Sequence, residues 1–245
     1  MLKRPKEKIW HYPEIPEPYP KIPGANGLLL APSGRGKTTT WIAMLLGPYR
    51  GKFARIFVFS PNIHIDSAFD DLKDYVSKDM GVDQEKEKTF FDTWDEAALE
   101  KIIATQHKLI RYEKDKKFKR LHAILVVVDD WADRPDIMHR AGNLMTSLFI
   151  KGRHAGINTW VCSQALKSVH PVCRANFRFV ICWKINDAKQ RDAILESFSA
   201  IAPLSTLRQM YDQATSGKHD FWYIDLVSPD GVAFYKGFDE EFILD

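Results

Sequence analysis

The sequence predicts an α/β fold: a mostly parallel sheet with helices on both faces and a hairpin near residue 245. Three observations predict it. From Gly24 onward, short apolar runs alternate with longer helical stretches, the pattern that makes parallel strands joined by crossover helices. The most apolar run, Ile124–Val128, has the composition of a strand buried on both faces. The 245 residues are 45% hydrophobic and 27% charged, enough for one sizeable core with appendages.

The first 23 residues hold six of the thirteen prolines, and their alternating x-Pro steps block both helix and central strand. Residues 1–23 are therefore an extended arm and 24–245 the domain. The arm lies over the domain or is left disordered, or else it straps a neighbouring subunit. In the domain the first strand is Gly27–Ala31, followed by a glycine-bearing loop and a helix over Thr38–Leu46 that Gly47-Pro48 stops. A second strand, Arg55–Phe59, ends at Ser60-Pro61. The third is Ala123–Val128, followed by a helix over Asp136–Lys151, a fourth strand over Asn158–Ser163 and a fifth over Phe177–Lys184. Five strands are thus expected before residue 185. Helical stretches near Asp187–Ser197 and Ser205–Thr215 lead to Phe221–Leu226 and Val232–Gly237, which flank Val227-Ser-Pro-Asp-Gly231 as a hairpin.

Lys and Arg number 35 against 32 Asp and Glu, a net charge of +3, which excludes a uniformly basic nucleic-acid binder. Any contact with DNA has to be local. Residues 66–100 hold twelve acidic and four basic side chains, whereas Arg111–Arg120 holds six basic and two acidic ones with Tyr112 and Phe118 among them. That segment is a candidate grip on DNA phosphates or simply a solvated helix end. Cys162, Cys173 and Cys182 fit neither a disulfide framework nor paired metal ligands, and the eight histidines show no ligand spacing. Without an apolar run of membrane-spanning or signal-peptide length, the chain is expected to be soluble and intracellular. Trp131, Trp160, Trp183 and Trp222 are expected in the core.

Ala31-Pro32-Ser33-Gly34-Arg35-Gly36-Lys37-Thr38 fits the phosphate-loop pattern with Ala at the first Gly, and it lies between a predicted strand and a predicted helix. Its glycines let backbone N–H groups curl around a β-phosphate, Lys37 reaches the β- and γ-phosphates, and the Thr38 hydroxyl can ligate Mg²⁺. Thr39 adjoins this ATP site, although Thr39 and Thr40 also suit capping and packing of the helix. Lys37 is expected to face solvent when no nucleotide is bound.

The third strand delivers Asp129 and Asp130 to the C-terminal edge of the sheet, where open α/β sheets place their ligand crevice. Asp129 would hold Mg²⁺ through water and Asp130 would orient or deprotonate an attacking water. Asp133 is expected to be a cap or solvated. Adjacent acids and the lack of an Asn-Lys-x-Asp sequence favour ATP hydrolysis over guanine switching. Gln164, at the end of the fourth strand, would sense the γ-phosphate or position water if that strand lies between the phosphate-loop and acidic strands. Arg153 and Arg174 precede the fourth and fifth strands, away from the local phosphate loop, and are candidates to reach a neighbour's γ-phosphate.

With Ala31–Thr38, Asp129-Asp130, Arg153-His154 with Ile157 ahead of a strand ending in Gln164, and Arg174-x-Asn176, the chain resembles the poxvirus-type genome-packaging ATPases of large DNA viruses and virophages. These belong to the FtsK/HerA superfamily of P-loop NTPases, the additional-strand catalytic-acid type. The likeness covers roughly residues 24–185, and only the phosphate loop is specific alone. Asp130 stands where the superfamily often has Glu, and the last sixty or so residues carry no module that the resemblance names. The resemblance implies a homo-oligomeric ring, hexamer or pentamer, that uses ATP and Mg²⁺ to thread double-stranded DNA into a capsid. Its implied partners are that DNA and capsid or portal-like vertex proteins, and its implied place is the virion or the viral factory in the host cytoplasm. A P-loop kinase and a nucleotide-dependent assembly scaffold with little hydrolysis remain the alternatives.

Overall fold

The computed structural model describes residues 11–131, 137 and 143–244. Its centre is one nine-stranded sheet: β1 (Gly27–Leu30), β2 (Arg55–Phe59), β3 (Phe90–Phe91), β4 (Ile124–Asp129), β5 (Ile157–Ser163), β6 (Phe179–Trp183), β7 (Phe221–Ser228), β8 (Gly231–Lys236) and β9 (Glu240–Phe242). The order across the sheet is β3-β2-β4-β5-β1-β6-β7-β8-β9. Neighbours from β3 to β6 pair in parallel, and β7, β8 and β9 extend the sheet as an antiparallel meander. The predicted hairpin is present as β7 and β8. The sequence reading missed two short strands, β3 and β9, so six strands rather than five precede residue 185.

Seven α-helices are described, besides short 3₁₀ and π segments: α1 (Lys37–Leu46), α2 (Asp70–Asp74), α3 (Glu96–Asp115), α4 (Leu144–Lys151), α5 (Pro171–Arg174), α6 (Ala188–Ser197) and α7 (Leu204–Ala214). Alternate strand residues point to opposite faces, and the two faces carry different helices. Leu28, Leu30, Val126 and Val128 face a core shared with Leu99 of α3, Phe149 of α4 and Leu207 of α7. Leu29, Leu125 and Val127 face Trp41 and Leu45 of α1 and Leu72 of α2. The four strand-associated tryptophans are in the core as expected, each no more than 8% exposed. Of the helix predicted over Asp136–Lys151, the described residues show α4; Asp136 and the predicted cap Asp133 lie outside them.

The sequence reading did not mark α3, the longest described helix. Its buried residues are Leu99, Gln106, Ile110 and Glu113, so two of the four inward positions are polar and the apolar stripe is interrupted. Asp95 caps it, accepting from the Ala98 N–H at 2.8 Å.

Residues 11–23 lie over this chain's own domain. Ile15 and Ile22 are buried in the α1-side core, each contributing about 1.5–3 kcal/mol in apolar burial. Tyr223 Oη donates to the Pro18 carbonyl at 2.6 Å and Tyr49 Oη to that of Pro20 at 2.5 Å. Residues 1–10 of the arm lie outside the described residues.

Candidate active site

The phosphate loop leaves β1 after Leu30 and enters α1 at Lys37. Gly34 has φ 74° and Gly36 φ 90°, left-handed conformations that favour glycine and let the loop turn directly into the helix. Ala31 N–H donates to the Ser163 carbonyl at 3.1 Å, tying the loop's start to β5. Ser33, Gly34 and Thr39 are exposed, Pro32, Arg35, Gly36 and Thr38 half-buried, and Ala31 is in the core. No side chain caps α1, so the capping role expected of Thr39 and Thr40 is not seen.

Lys37 corrects a second expectation. It is 7% exposed rather than solvent-facing, and its Nζ sits 2.9 Å from Asp130 Oδ1. Burial acts to lower the ammonium's pKa, but the surrounding Cys162, Asp129 and Asp130 raise it more, and the net direction is up. Burial holds the Cys162 thiol well above its ordinary range and hence neutral, so at neutral pH the two carboxylates are the source of that rise.

Asp129 is the last residue of β4 and 1% exposed. Its carboxyl is pushed up to about 6, by burial first, with Lys37 holding it down and Asp130 adding to the rise. Thr38 Oγ1 donates to Asp129 Oδ2 at 3.4 Å, while Asp129 Oδ1 is buried with no hydrogen-bond partner among the described residues. An orphaned carboxylate oxygen beside a hydroxyl is a donor set suited to a hard cation, the hydroxyl as a direct ligand and the carboxylate through water, with phosphates and further waters to complete a Mg²⁺ shell. Among the described residues, no group of three His, Cys, Asp or Glu side chains could hold a metal without such help.

Asp130 follows β4 with φ 56°, left-handed for a non-glycine residue. Its Oδ1 takes Lys37 and its Oδ2 takes Asn62 Nδ2 at 3.2 Å. Strand order satisfies the condition set for Gln164: β5 lies between β1 and β4, so this exposed residue follows the middle strand at the C-terminal edge of the sheet.

The two arginines differ. Arg153 is exposed, in the turn before β5 at the sheet's opposite edge. Arg174 ends α5, and its Nε is buried without a partner among the described residues, beside a cavity of about 250 Å³ that Leu30, Leu166 and Val180 also line. The residue as a whole is half-buried, with its Nε enclosed. A larger cavity, about 710 Å³, lies between α3 and the starts of β2 and β4, far from the phosphate loop, and does not belong to this site.

Sequence reasoning missed two contributors. Asn62 follows a strand that borders the acidic one, a position from which it could have been found by the logic applied to Gln164, had the strand order been in hand. The segment before β7 meets the loop as well: Arg35 Nη1 donates to the Lys218 carbonyl at 3.4 Å, and His219 Nδ1 lies 3.3 Å from the Arg35 carbonyl. No pattern in the sequence signals that contact.

A strand, glycine loop and helix facing an acidic strand across one intervening strand define a P-loop NTPase of the additional-strand class. Within it, the chain belongs to the Poxvirus A32 protein family, whose profile matches residues 26–224. No curated protein matches the sequence. Among solved structures it is similar to the genome packaging NTPase B204 from Sulfolobus turreted icosahedral virus 2 in complex with ATP-gammaS, at 13% identity and TM-score 0.54, covering 89% of this chain and all 100% of that one. It is also similar to EssC (ATPases 2 and 3) from Geobacillus thermodenitrificans, at 18% identity and TM-score 0.53, covering 89% of this chain but 38% of that one. The pCW3 conjugation coupling protein TcpA with ATPgS gives 18% identity and TM-score 0.51 over 97% of this chain and 71% of that one. At these identities the likeness shows the fold. Among the described residues no helix is long and apolar enough to cross a membrane.

Proposed function

We propose that this chain is an ATP-hydrolysing motor that moves double-stranded DNA into a viral capsid. The observation that carries the reading is Lys37, at the start of the phosphate-loop helix, held 2.9 Å from an acid that follows the sheet's acidic strand. Membership of the Poxvirus A32 family supports the packaging role.

Lys37 would leave Asp130 for the β- and γ-phosphates, the loop amides would cradle the β-phosphate, and Asp130 would take the proton of the attacking water. Thr38 and, through water, Asp129 would hold Mg²⁺, which when bound draws negative charge from the phosphates. Gln164 would meet the γ-phosphate or the water. Arg153, exposed at the far edge of the sheet, is the better candidate to act on a neighbour's nucleotide within a ring, because Arg174 is half-buried with its Nε enclosed. The end of α3 with the following residues presents Arg111, Lys116, Lys117 and Lys119 to solvent beside Tyr112 and Phe118, a surface suited to phosphates of any base sequence. Capsid or vertex proteins and a place at the site of packaging follow from the same reading.

DNA-stimulated phosphate release tests it. Double-stranded DNA of unrelated sequences should raise turnover several-fold and alike. A labelled hydroxyl acceptor would indicate a kinase instead, and ATP binding with neither outcome would indicate a scaffold.

A further inference from the structure

We propose that Asn62 is a positioning residue for hydrolysis: it fixes Asp130 so that Oδ1, the oxygen Lys37 vacates, is the one that accepts the proton. This rests on the ATPase reading above.

Both oxygens of Asp130 are engaged, Oδ1 by Lys37 at 2.9 Å and Oδ2 by Asn62 at 3.2 Å. The two donors have different fates. Lys37 is required at the phosphates and must release Oδ1 when ATP enters. Asn62 has no such call on it, and its main chain is anchored independently of its side chain: the N–H donates to Ser60 Oγ at 3.3 Å and the carbonyl accepts from the Ile65 and Asp66 N–H groups at 3.0 Å. Once Lys37 has moved, Asn62 is the described side chain still holding the carboxylate. Asp129 next to it repels that carboxylate, and the left-handed backbone of Asp130 is itself an unfavourable conformation, so a fixed donor has something to hold against. With Oδ2 pinned, Oδ1 is the oxygen left open. In the step itself a water O–H proton passes to Oδ1 while the water oxygen bonds to the γ-phosphorus and the bond from that phosphorus to the β,γ-bridging oxygen breaks, the electron pair leaving with ADP.

The anchored main chain makes side-chain substitution a clean test. Asn62→Ala should lower kcat about ten- to thirtyfold while KM for ATP and the affinity for ATPγS stay within about twofold. Asn62→Asp, which keeps the size but removes the donor, should be at least as slow, and Asn62→Gln, which keeps the carboxamide, should recover part of the rate. A readout independent of turnover is thermal unfolding without nucleotide: Asn62→Ala should lower Tm in the wild-type background and scarcely at all in Asp130→Ala, because the contact is already gone. Turnover within twofold of wild type in both Asn62→Ala and Asn62→Asp, or additive Tm losses, would overturn the proposal. Asp130→Asn serves as the control: if it is inactive while the Asn62 variants are normal, only the role of Asn62 fails, whereas an active Asp130→Asn removes the base assignment as well.

Discussion

Asp130→Asn is expected to bind ATP and fail to turn it over, with kcat lower by about two to four orders of magnitude. The substitution keeps shape and removes the proton acceptor. Binding should survive because its parts lie elsewhere: the loop glycines at φ 74° and 90°, Lys37, Thr38 and Asp129. Affinity should even rise modestly, since Lys37 no longer has to be drawn from a carboxylate 2.9 Å away before it meets the phosphates. Equilibrium binding of ATPγS and steady-state phosphate release measure the two halves separately. Unchanged turnover would place the base elsewhere, and loss of binding would mean that Asp130 supports the loop rather than the chemistry.

Lys37→Ala should abolish hydrolysis, leaving less than about a hundredth of wild-type turnover, because the contact to the β- and γ-phosphates disappears. Its second effect comes from burial. With the ammonium gone, Asp129 and Asp130 face each other without their cation, a loss of about 1–3 kcal/mol or roughly 3–10 °C in Tm for a domain of this size. The pH dependence has a definite sign. Asp129 is raised from 3.8 to about 6, so the folded protein binds its proton more tightly than the unfolded chain, and the stability this group contributes falls as pH rises from about 4 through 6. Lys37 moderates that fall, and its own pKa, raised above 10.5, keeps its contribution constant below pH 10. The Tm deficit of Lys37→Ala should therefore be larger at pH 8 than at pH 5, where Asp129 is protonated and needs no counterion. Equal deficits at both values would separate Lys37 from Asp129 energetically.

The parts of the site that could be read from the sequence are those encoded by neighbours in the chain. An apolar run, a glycine loop and a helix signal lie within twenty residues, and Ile124–Asp129 carries its acid at its own end. What could not be read depends on the order of strands. Asn62 and Asp130 are 68 positions apart and meet because β2 pairs with β4. The burial of Lys37 likewise requires β1 and β4 to stand one strand apart. Helix α3 was hidden because Gln106 and Glu113 occupy inward positions: Gln106 Nε2 bonds the carbonyls of His122 and Ala155 at 3.0 Å, and Glu113 accepts from the His122 N–H at 3.1 Å. Polar residues satisfied in this way break the apolar periodicity without weakening the helix. Arg174 preceded a strand, as its sequence context said, but nothing local indicated that its Nε would be enclosed.

The central claim is that hydrolysis at this site drives movement along duplex DNA, and displacement of a third, triplex-forming strand from double-stranded DNA measures that movement directly. The wild-type protein with ATP and Mg²⁺ should release the third strand regardless of the sequence of the duplex it approaches through, while ATPγS, and Asp130→Asn with ATP, should leave it bound. Brisk DNA-stimulated phosphate release with no displacement from either side of the triplex would contradict the account.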